Sequence, residues 1–588
     1  MILTSFMTAG VLLSQSPSLQ DPAYRSARLA PLGDKPVATL VTADHEPLRL
    51  EIKFVDGAGV RLIDGRLLAS SDEVGEVDQL LEDMGAARSR TFQQSDDWLQ
   101  TFRVQGEARI GRPLHDLSLF YSVRLTEGAD LADVCDRLNA FDCVEIAYPV
   151  GKAGDPVVAT APSAALGTSP DFENLQDYRQ AAPLGIDADY GNTFAGGTGI
   201  GTTIADTETG WTDDHEDIAH KALGNFVGFT NAPYPWNHGT AVVGELVGEN
   251  NESGVLGISH SSDIVLSSHQ SAAGTNIPGG VMNAIAAVGP GDMVLIEVQC
   301  FGGPPGPYPC EYVASTFAAI EAATANRIHV FAAAGNGNNN LDAPAYGGLF
   351  DIRVRDSGSV MVGASDGASL NKASFSNFGT RVDVHGWGFD VVTAGYGDLQ
   401  GGPATEQYTQ GFSGTSSASP IALGAGSILN SIHRSVHGTP LDPRVLRELL
   451  IVTGTPQGTG GEIGPRPDVR AAIEQLNLPR IEIAGDFVPG GEVTVTQRGP
   501  VGALHVLTSS AELRPAPVLT PFGEFFLAGP WQRVDVGVLD ASGFATYDFT
   551  IPNDPSLIGT TYRYLQGWMR FPGTNGGSFA NYVPVDVQ

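Results

Sequence analysis

Tyr312–Ala333 reads YVASTFAAIEAATANRIHVFAA and holds two kinds of periodicity side by side. Tyr312–Asn326 places apolar side chains at helical intervals. Asn326-Arg327 interrupts them, and Ile328–Ala333 is then an apolar run of strand length. A strand that is apolar on both faces has to be covered on both faces, which is the condition of a parallel sheet between helix layers. The alternation extends outward in both directions. Thr202–Ala205, Ile264–Leu266, Met293–Val298 and Val360–Val362 read as buried strands, while His238–Val247, Ser417–Ile432, Pro443–Val452 and Pro467–Leu476 read as helices. The expected class is α/β, a mostly parallel, doubly wound sheet over residues 173–478, with chemistry at the carboxyl ends of its strands.

The flanks read differently. Residues 35–150 alternate apolar runs with charged turns. They then show a helix pattern at Leu131, Val134 and Leu138 and a strand at Cys143–Val150, so an α+β domain is expected there. Residues 151–172, rich in Ala, Pro, Ser and Gly, read as a linker. Residues 480–588 carry short alternating strands (Glu492–Gln497, Ala503–Leu507, Arg533–Val538, Ala545–Phe549, Tyr582–Val587) and read as a β-sandwich module.

Charge narrows the partners. The 588 residues hold 33 Lys+Arg against 66 Asp+Glu, a net −33. Phosphate neutralisation needs clustered cations, so nucleic acid is excluded as a partner, and anionic lipid is repelled. No stretch reads as a membrane span. Met1–Gln20 is uncharged and largely apolar at its start, like the apolar part of an export signal without the basic leading region. A misplaced start codon or an unstructured N-terminus has the same look. Cys135/Cys143 and Cys300/Cys310 form two local pairs that suit disulfides in an oxidising compartment, although a reduced chain can carry the same spacing. A secreted or cell-surface protein is expected.

Four short patterns carry chemistry. Ile204-Ala205-Asp206-Thr207 ends a strand with an acid, and His238-Gly239-Thr240 opens a helix. Ala332-Ala333-Ala334-Gly335-Asn336 ends a strand with an amide, and Gly414-Thr415-Ser416-Ser417-Ala418-Ser419-Pro420 opens a second helix. Singly, each is an ordinary turn former or helix cap. Together they have the parts of nucleophilic acyl transfer: Ser416 as nucleophile, His238 as base and Asp206 to orient the imidazole. Asn336 and the backbone N–H of Ser416 would hold an oxyanion at the amino end of a buried helix. No cofactor is required for that chemistry.

These motifs resemble the subtilisin-like serine peptidase (subtilase) family, whose triad runs Asp, His, Ser along the chain. Asp214-His215-Glu216-Asp217-Ile218, Gly254-Val255-Leu256-Gly257-Ile258, Phe375-Ser376-Asn377-Phe378-Gly379 and Val382-Asp383-Val384 resemble further family elements. The similarity spans residues 180–478. It implies Asp206, His238 and Ser416 as triad and Asn336 as oxyanion donor. It also implies Gln299, Cys300, Phe301, Gly302, Gly303, Ala333, Ala334 and Gly335 as the rim that pairs with a peptide substrate. His215 has no catalytic counterpart and is read as structural. Tyr121–Leu125, the helix around Val134 and Val144–Ala147 resemble an inhibitory propeptide, which would make the N-terminal segment a partner of the cleft and the 151–172 linker the place of autocleavage; a permanently attached domain is the alternative. Calcium is expected for stability, with Asp213, Asp214, Glu216 and Asp217, or Asn338–Asn340 with Asp342, as candidate clusters.

Three departures from the family pattern stand out. Glu208 follows Asp206-Thr207 where the family has Gly, placing a second carboxylate beside the triad. Ala241 replaces a His, and Ile296–Gly303 replaces the usual Asn-x-Ser-x-Gly stretch. A Cys300–Cys310 bridge would rigidify that rim. Two other readings compete: a catalytically silent scaffold used for surface adhesion, and a C-terminal module that binds a surface or polymer through Trp531 and Trp568.

Overall fold

The computed structural model describes residues 28–154, 168–229, 237–271, 274–574 and 576–588. The export-like segment Met1–Gln20 lies outside them, as do residues 155–167 of the linker.

The N-terminal unit is α+β. Its strands β1 (His45–Phe54), β2 (Ala87–Arg90), β3 (Phe120–Arg124) and β4 (Val144–Gly151) form an antiparallel sheet in the order β2-β3-β1-β4. Helices α1 (Asp72–Asp83) and α3 (Leu131–Asn139) share one core with Leu50, Ile52, Tyr121 and Val123 of the sheet. Helix α2 (Asp96–Ile110) starts where the Ser95 side chain accepts from Trp98 N and stops at Gly111 in the left-handed conformation. Its Leu99 belongs to a different core, shared with the central domain. Cys135 and Cys143 are both buried in this unit and are free thiols, so the expected pairing does not hold there. Burial pushes both up to about 12, which leaves them inert as nucleophiles.

After the two-residue strand β5 (Ala153–Gly154) comes the central domain. Its sheet strands are β6 (Thr203–Glu208), β7 (Asp263–Ser268), β8 (Met293–Ile296), β11 (His329–Ala333), β12 (Val360–Ser365) and β13 (Val384–Trp387). They form one six-stranded parallel sheet in the order β13-β12-β11-β8-β6-β7. Between β8 and β11 lie the short strands β9 (Gln299–Cys300) and β10 (Tyr308–Pro309). Helices α4 (Asn237–Val247), α5 (Ile277–Ala287), α6 (Ala314–Ala325), α7 (Thr415–His437), α8 (Pro443–Thr453) and α9 (Val469–Gln475) accompany the sheet. Separate apolar clusters lie on its two sides, one holding Ile204, Leu295 and Phe331, the other Ala205, Val294 and Val330. Adjacent residues of each strand therefore point into different cores, as the unbroken apolar runs require.

Helix α5 and strand β13 were not expected from periodicity. Pro278-Gly279-Gly280 looks like a breaker, yet Pro278 sits in the first turn, where no N–H is needed, and the Asn276 side chain accepts from Gly279 N. In β13, His385 breaks the apolar run; its ring is buried and Nδ1 bonds the Gly464 carbonyl at 2.7 Å.

Residues 480–588 form the expected β-sandwich. One antiparallel sheet orders 480–485, 492–498 and 544–550. The other orders 532–538, 504–510, 561–570 and 577–586, and Ile481, Val495, Leu507 and Leu565 lie in the shared core. The module is docked rather than tethered. Glu524 Oε2 accepts from Gly196 N at 2.8 Å, and Tyr582 N donates to the Thr193 carbonyl at 3.0 Å.

Candidate active site

Strand β6 runs two residues past Asp206. Because side chains alternate along a strand, Asp206 and Glu208 share a face, and Glu208 is the one at the carboxyl end. His238 is the second residue of α4, and its Nδ1 lies 2.7 Å from Glu208 Oε1. Asp206 has another role: its Oδ2 accepts from the Trp211 indole Nε1 at 2.8 Å. The acid that orients the imidazole is therefore Glu208, which corrects the expectation placed on Asp206. The signal was present, since Glu208-Thr209-Gly210 has the acid-Thr-Gly spacing that Asp206-Thr207-Glu208 lacks.

Ser416 is the second residue of α7. The preceding Gly414, at φ 116°, takes a backbone conformation that only glycine adopts readily, and Ser417 Oγ donates to the Trp387 carbonyl. This turn brings Ser416 to the start of a buried helix. Ser416 Oγ and His238 Nε2 are both buried, and neither has a hydrogen-bond partner among the described residues. Phe412 packs edge-on against the His238 ring at 5.6 Å.

Asn336 stands just beyond the end of β11. Its Oδ1 accepts from both Thr415 N and Thr415 Oγ1 at 2.9 Å, which fixes the amide and turns Nδ2 the other way. Asn377, which lies in the quoted Phe375–Gly379 motif but was given no role, holds the same loop. Its Nδ2 donates to the Ala334 carbonyl, and its Oδ1 accepts from Gly337 N and Asn339 N.

Residues 199–465 match the model described as "Subtilase family". They form a subtilase domain. Subtilisin amylosacchariticus of Bacillus subtilis subsp. amylosacchariticus is 27% identical over 261 residues, 44% of this chain and 63% of that protein. Alkaline elastase YaB of Bacillus sp. (strain YaB) is 29% identical over 236 residues, 40% of this chain and 55% of that one. The chain thus spans less than two thirds of the length of these relatives. Among solved structures, fervidolysin from Fervidobacterium pennivorans, titled a keratinolytic enzyme related to subtilisin, superposes with a TM-score of 0.50. That alignment has 14% identity and covers 94% of this chain and 95% of that one, a likeness of fold.

In the subtilase domain the expected substrate rim divides in two. Gln299 and Cys300 form β9, and Gln299 Oε1 accepts from Asn336 N at 3.0 Å, so the rim and the amide loop are joined. Ala333, Ala334 and Gly335 lead into Asn336, and Gly335 N donates to Thr415 Oγ1. Gly302 lies against His45 of the N-terminal unit, and Gly303 against the Tyr308 ring. Cys300 and Cys310 are joined by a disulfide that closes the rim loop.

Behind the triad lies an acidic interior absent from the expectations. Glu297 and Glu245 are buried, and burial, reinforced by neighbouring carboxylates, holds both well above the usual carboxylate range. Ser419 Oγ is 2.5 Å from Glu297 Oε1 and 2.6 Å from the Thr415 carbonyl. A hydroxyl has one proton, so both contacts are satisfied together when Glu297 is in its acid form.

Several residues of the expected calcium clusters have hydrogen-bond partners within the protein. Asp213 accepts from Gly224 N, Glu216 from the Tyr408 hydroxyl and Asp217 from Val255 N. Asn338 receives Lys372 Nζ, and Asp342 receives Thr380. The one gathering of His, Asp and Glu donors among the described residues is Asp56, His115 and Glu145, and the Lys53 ammonium lies 2.5 Å from Asp56 and 3.2 Å from Glu145. His215 is structural, with its ring bonded to the Gln407 carbonyl.

Proposed function

We propose that this chain is a serine endopeptidase that works outside the cell and is made with its N-terminal unit lying over its own cleft. The observation that carries this reading is the 2.7 Å Glu208–His238 contact beside a helix that opens at Ser416. Glu208 accepts from Nδ1, so Nε2 is left basic toward the serine. Nε2 takes the Ser416 proton as Oγ adds to the carbonyl carbon of a peptide bond. The developing oxyanion is met by Asn336 Nδ2 and the Ser416 N–H at the positive end of α7. His238 then gives the proton to the departing amine as the C–N bond breaks, leaving an ester on Ser416. A water deprotonated by His238 hydrolyses that ester, releasing the acid and restoring the serine.

Self-processing is supported by contacts between the N-terminal unit and the cleft. Strand β5 pairs antiparallel with the rim strand β9, and α2 packs across α6, where Arg112 meets the buried Glu321 at 2.8 Å. The Cys300–Cys310 disulfide supports an oxidising compartment. Of the two tryptophans read as surface binders, Trp531 is 50% exposed, while Trp568 packs against Phe522.

The deciding experiment compares intact mass and labelling by a serine-directed fluorophosphonate in wild type and Ser416→Ala. Wild type should label and lose its N-terminal unit, and Ser416→Ala should do neither. Labelling or processing that survives in Ser416→Ala overturns the assignment.

A further inference from the structure

Strand β5 sits on β9 in a definite register: Gly154 opposes Gln299 and Ala153 opposes Cys300, and Phe301 N donates to the Lys152 carbonyl at 2.9 Å. Gln299 is the residue whose side chain bonds Asn336 N. Gly154 is therefore the residue of this strand nearest the oxyanion donor, and Gly151, the last residue of β4, lies just upstream of the strand. Both glycines abut the same rim residue. A Cβ on Gly154 would come within 3.3 Å of Phe301 Cε2 and 3.9 Å of Cζ, so the phenyl ring occupies the space into which that side chain would grow. A Cβ on Gly151 would fall 1.8 Å from the Phe301 carbonyl oxygen, which cannot swing aside because it accepts from the Tyr308 hydroxyl at 2.9 Å. One position is closed by a side chain and the other by backbone.

From this geometry we propose that the peptidase is selective for glycine at the residue whose carbonyl is attacked, that Phe301 imposes the selectivity by filling the subsite, and that the chain's own bond after Gly154 is the one cut. The inference rests on the acyl-transfer reading above and adds the substrate class. Alanine needs only a few tenths of an ångström of ring movement, whereas a branched or aromatic side chain has to displace the ring. Because Gly154 meets a ring and Gly151 a carbonyl, removing the ring relaxes the first requirement and leaves the second.

The test uses N-acetylated Gly-Lys-Ala-X peptides carrying a fluorogenic leaving group, with X as Gly, Ala, Leu or Phe, on processed wild type and on Phe301→Gly. Wild type should favour Gly over Leu and Phe by about 100-fold or more in kcat/KM, with Ala between. Phe301→Gly should hydrolyse the Phe peptide at least about tenfold faster than wild type does. In the full-length chain, Gly154→Leu should block processing, and adding Phe301→Gly should restore it, which keeps the claim testable if one variant misfolds. Equal turnover of Gly and Phe peptides by wild type overturns the selectivity while leaving the peptidase intact. Absence of turnover on all four peptides with Ser416 still labelling also overturns it. Absence of both turnover and labelling overturns the peptidase reading instead.

Discussion

At the scale of single residues, the acid of the triad is decided by where a strand stops. Asp206 and Glu208 are chemically alike and share a face, but one orients Trp211 and the other His238. Glu208→Gln keeps the volume and removes the charge that holds the imidazole tautomer, so kcat should fall by about 10³–10⁴. Asp206→Asn keeps an oxygen for the Trp211 indole and should lower kcat by less than about tenfold. Steady-state kinetics on one peptide separates the two. If Asp206→Asn is the more damaging, the role of orienting acid returns to Asp206.

At the scale of elements, buried ion pairs tie the layers together. Arg447 of α8 holds Asp356, just before β12, at 2.7 Å, and Arg381 bonds Glu311 at 2.9 Å with both side chains buried. Burial alone would raise Asp356, but the Arg447 guanidinium outweighs it and brings the carboxyl down to about 2. A carboxylate depressed in the folded state stabilises above its unfolded pKa of about 4. That contribution drains away as pH falls from about 4 through about 2. Urea unfolding of a Ser416→Ala background should show stability dropping across that window. Arg447→Met in the same background should cost about 3–5 kcal/mol at pH 7, because it strands the buried carboxylate. The variant should also lose the acid-limb drop; a drop of the same size in both proteins would assign the acid sensitivity to other carboxylates.

At the scale of the whole molecule, a carboxyl joins the N-terminal unit to the central domain. Glu51 of β1 is buried and accepts from the Tyr148 hydroxyl at 2.5 Å and from Ser315 Oγ, in the first turn of α6, at 2.7 Å. Burial raises its pKa, and the Tyr148, Ser315 and Thr91 hydroxyls that donate to it, with the nearby Arg49 charge, offset only part of that rise. A raised carboxyl gives its full stabilisation below the unfolded value and loses it as pH rises through the folded one, so the two units should be held most firmly on the acid side. In a Ser416→Ala background, the melting temperature of the intact chain should decline from pH 4 to pH 8. Glu51→Gln, which stays neutral, should flatten that decline, and an unchanged slope would remove Glu51 from the account.

The sequence by itself determined the layered α/β class, the order of its domains, the sandwich at residues 480–588, and His238, Ser416 and Asn336 as the residues to look for. Each of these is written locally, in unbroken apolar runs, helix-opening Gly-x-Ser and strand-ending Gly-Asn. Only the tertiary structure decided which acid serves His238, because that depends on the register of β6 against β7 and β8 and on how far the strand runs. It also separated the cysteine pairs, since Cys300 and Cys310 meet across a closed rim loop while Cys135 faces a helix–sheet core. The buried Glu245 and Glu297 were invisible for the same reason: a charged residue inside an apolar run looks like surface until the neighbouring helix is in place. Phe301 gains its meaning only when a strand more than 140 residues earlier in the chain lies against it.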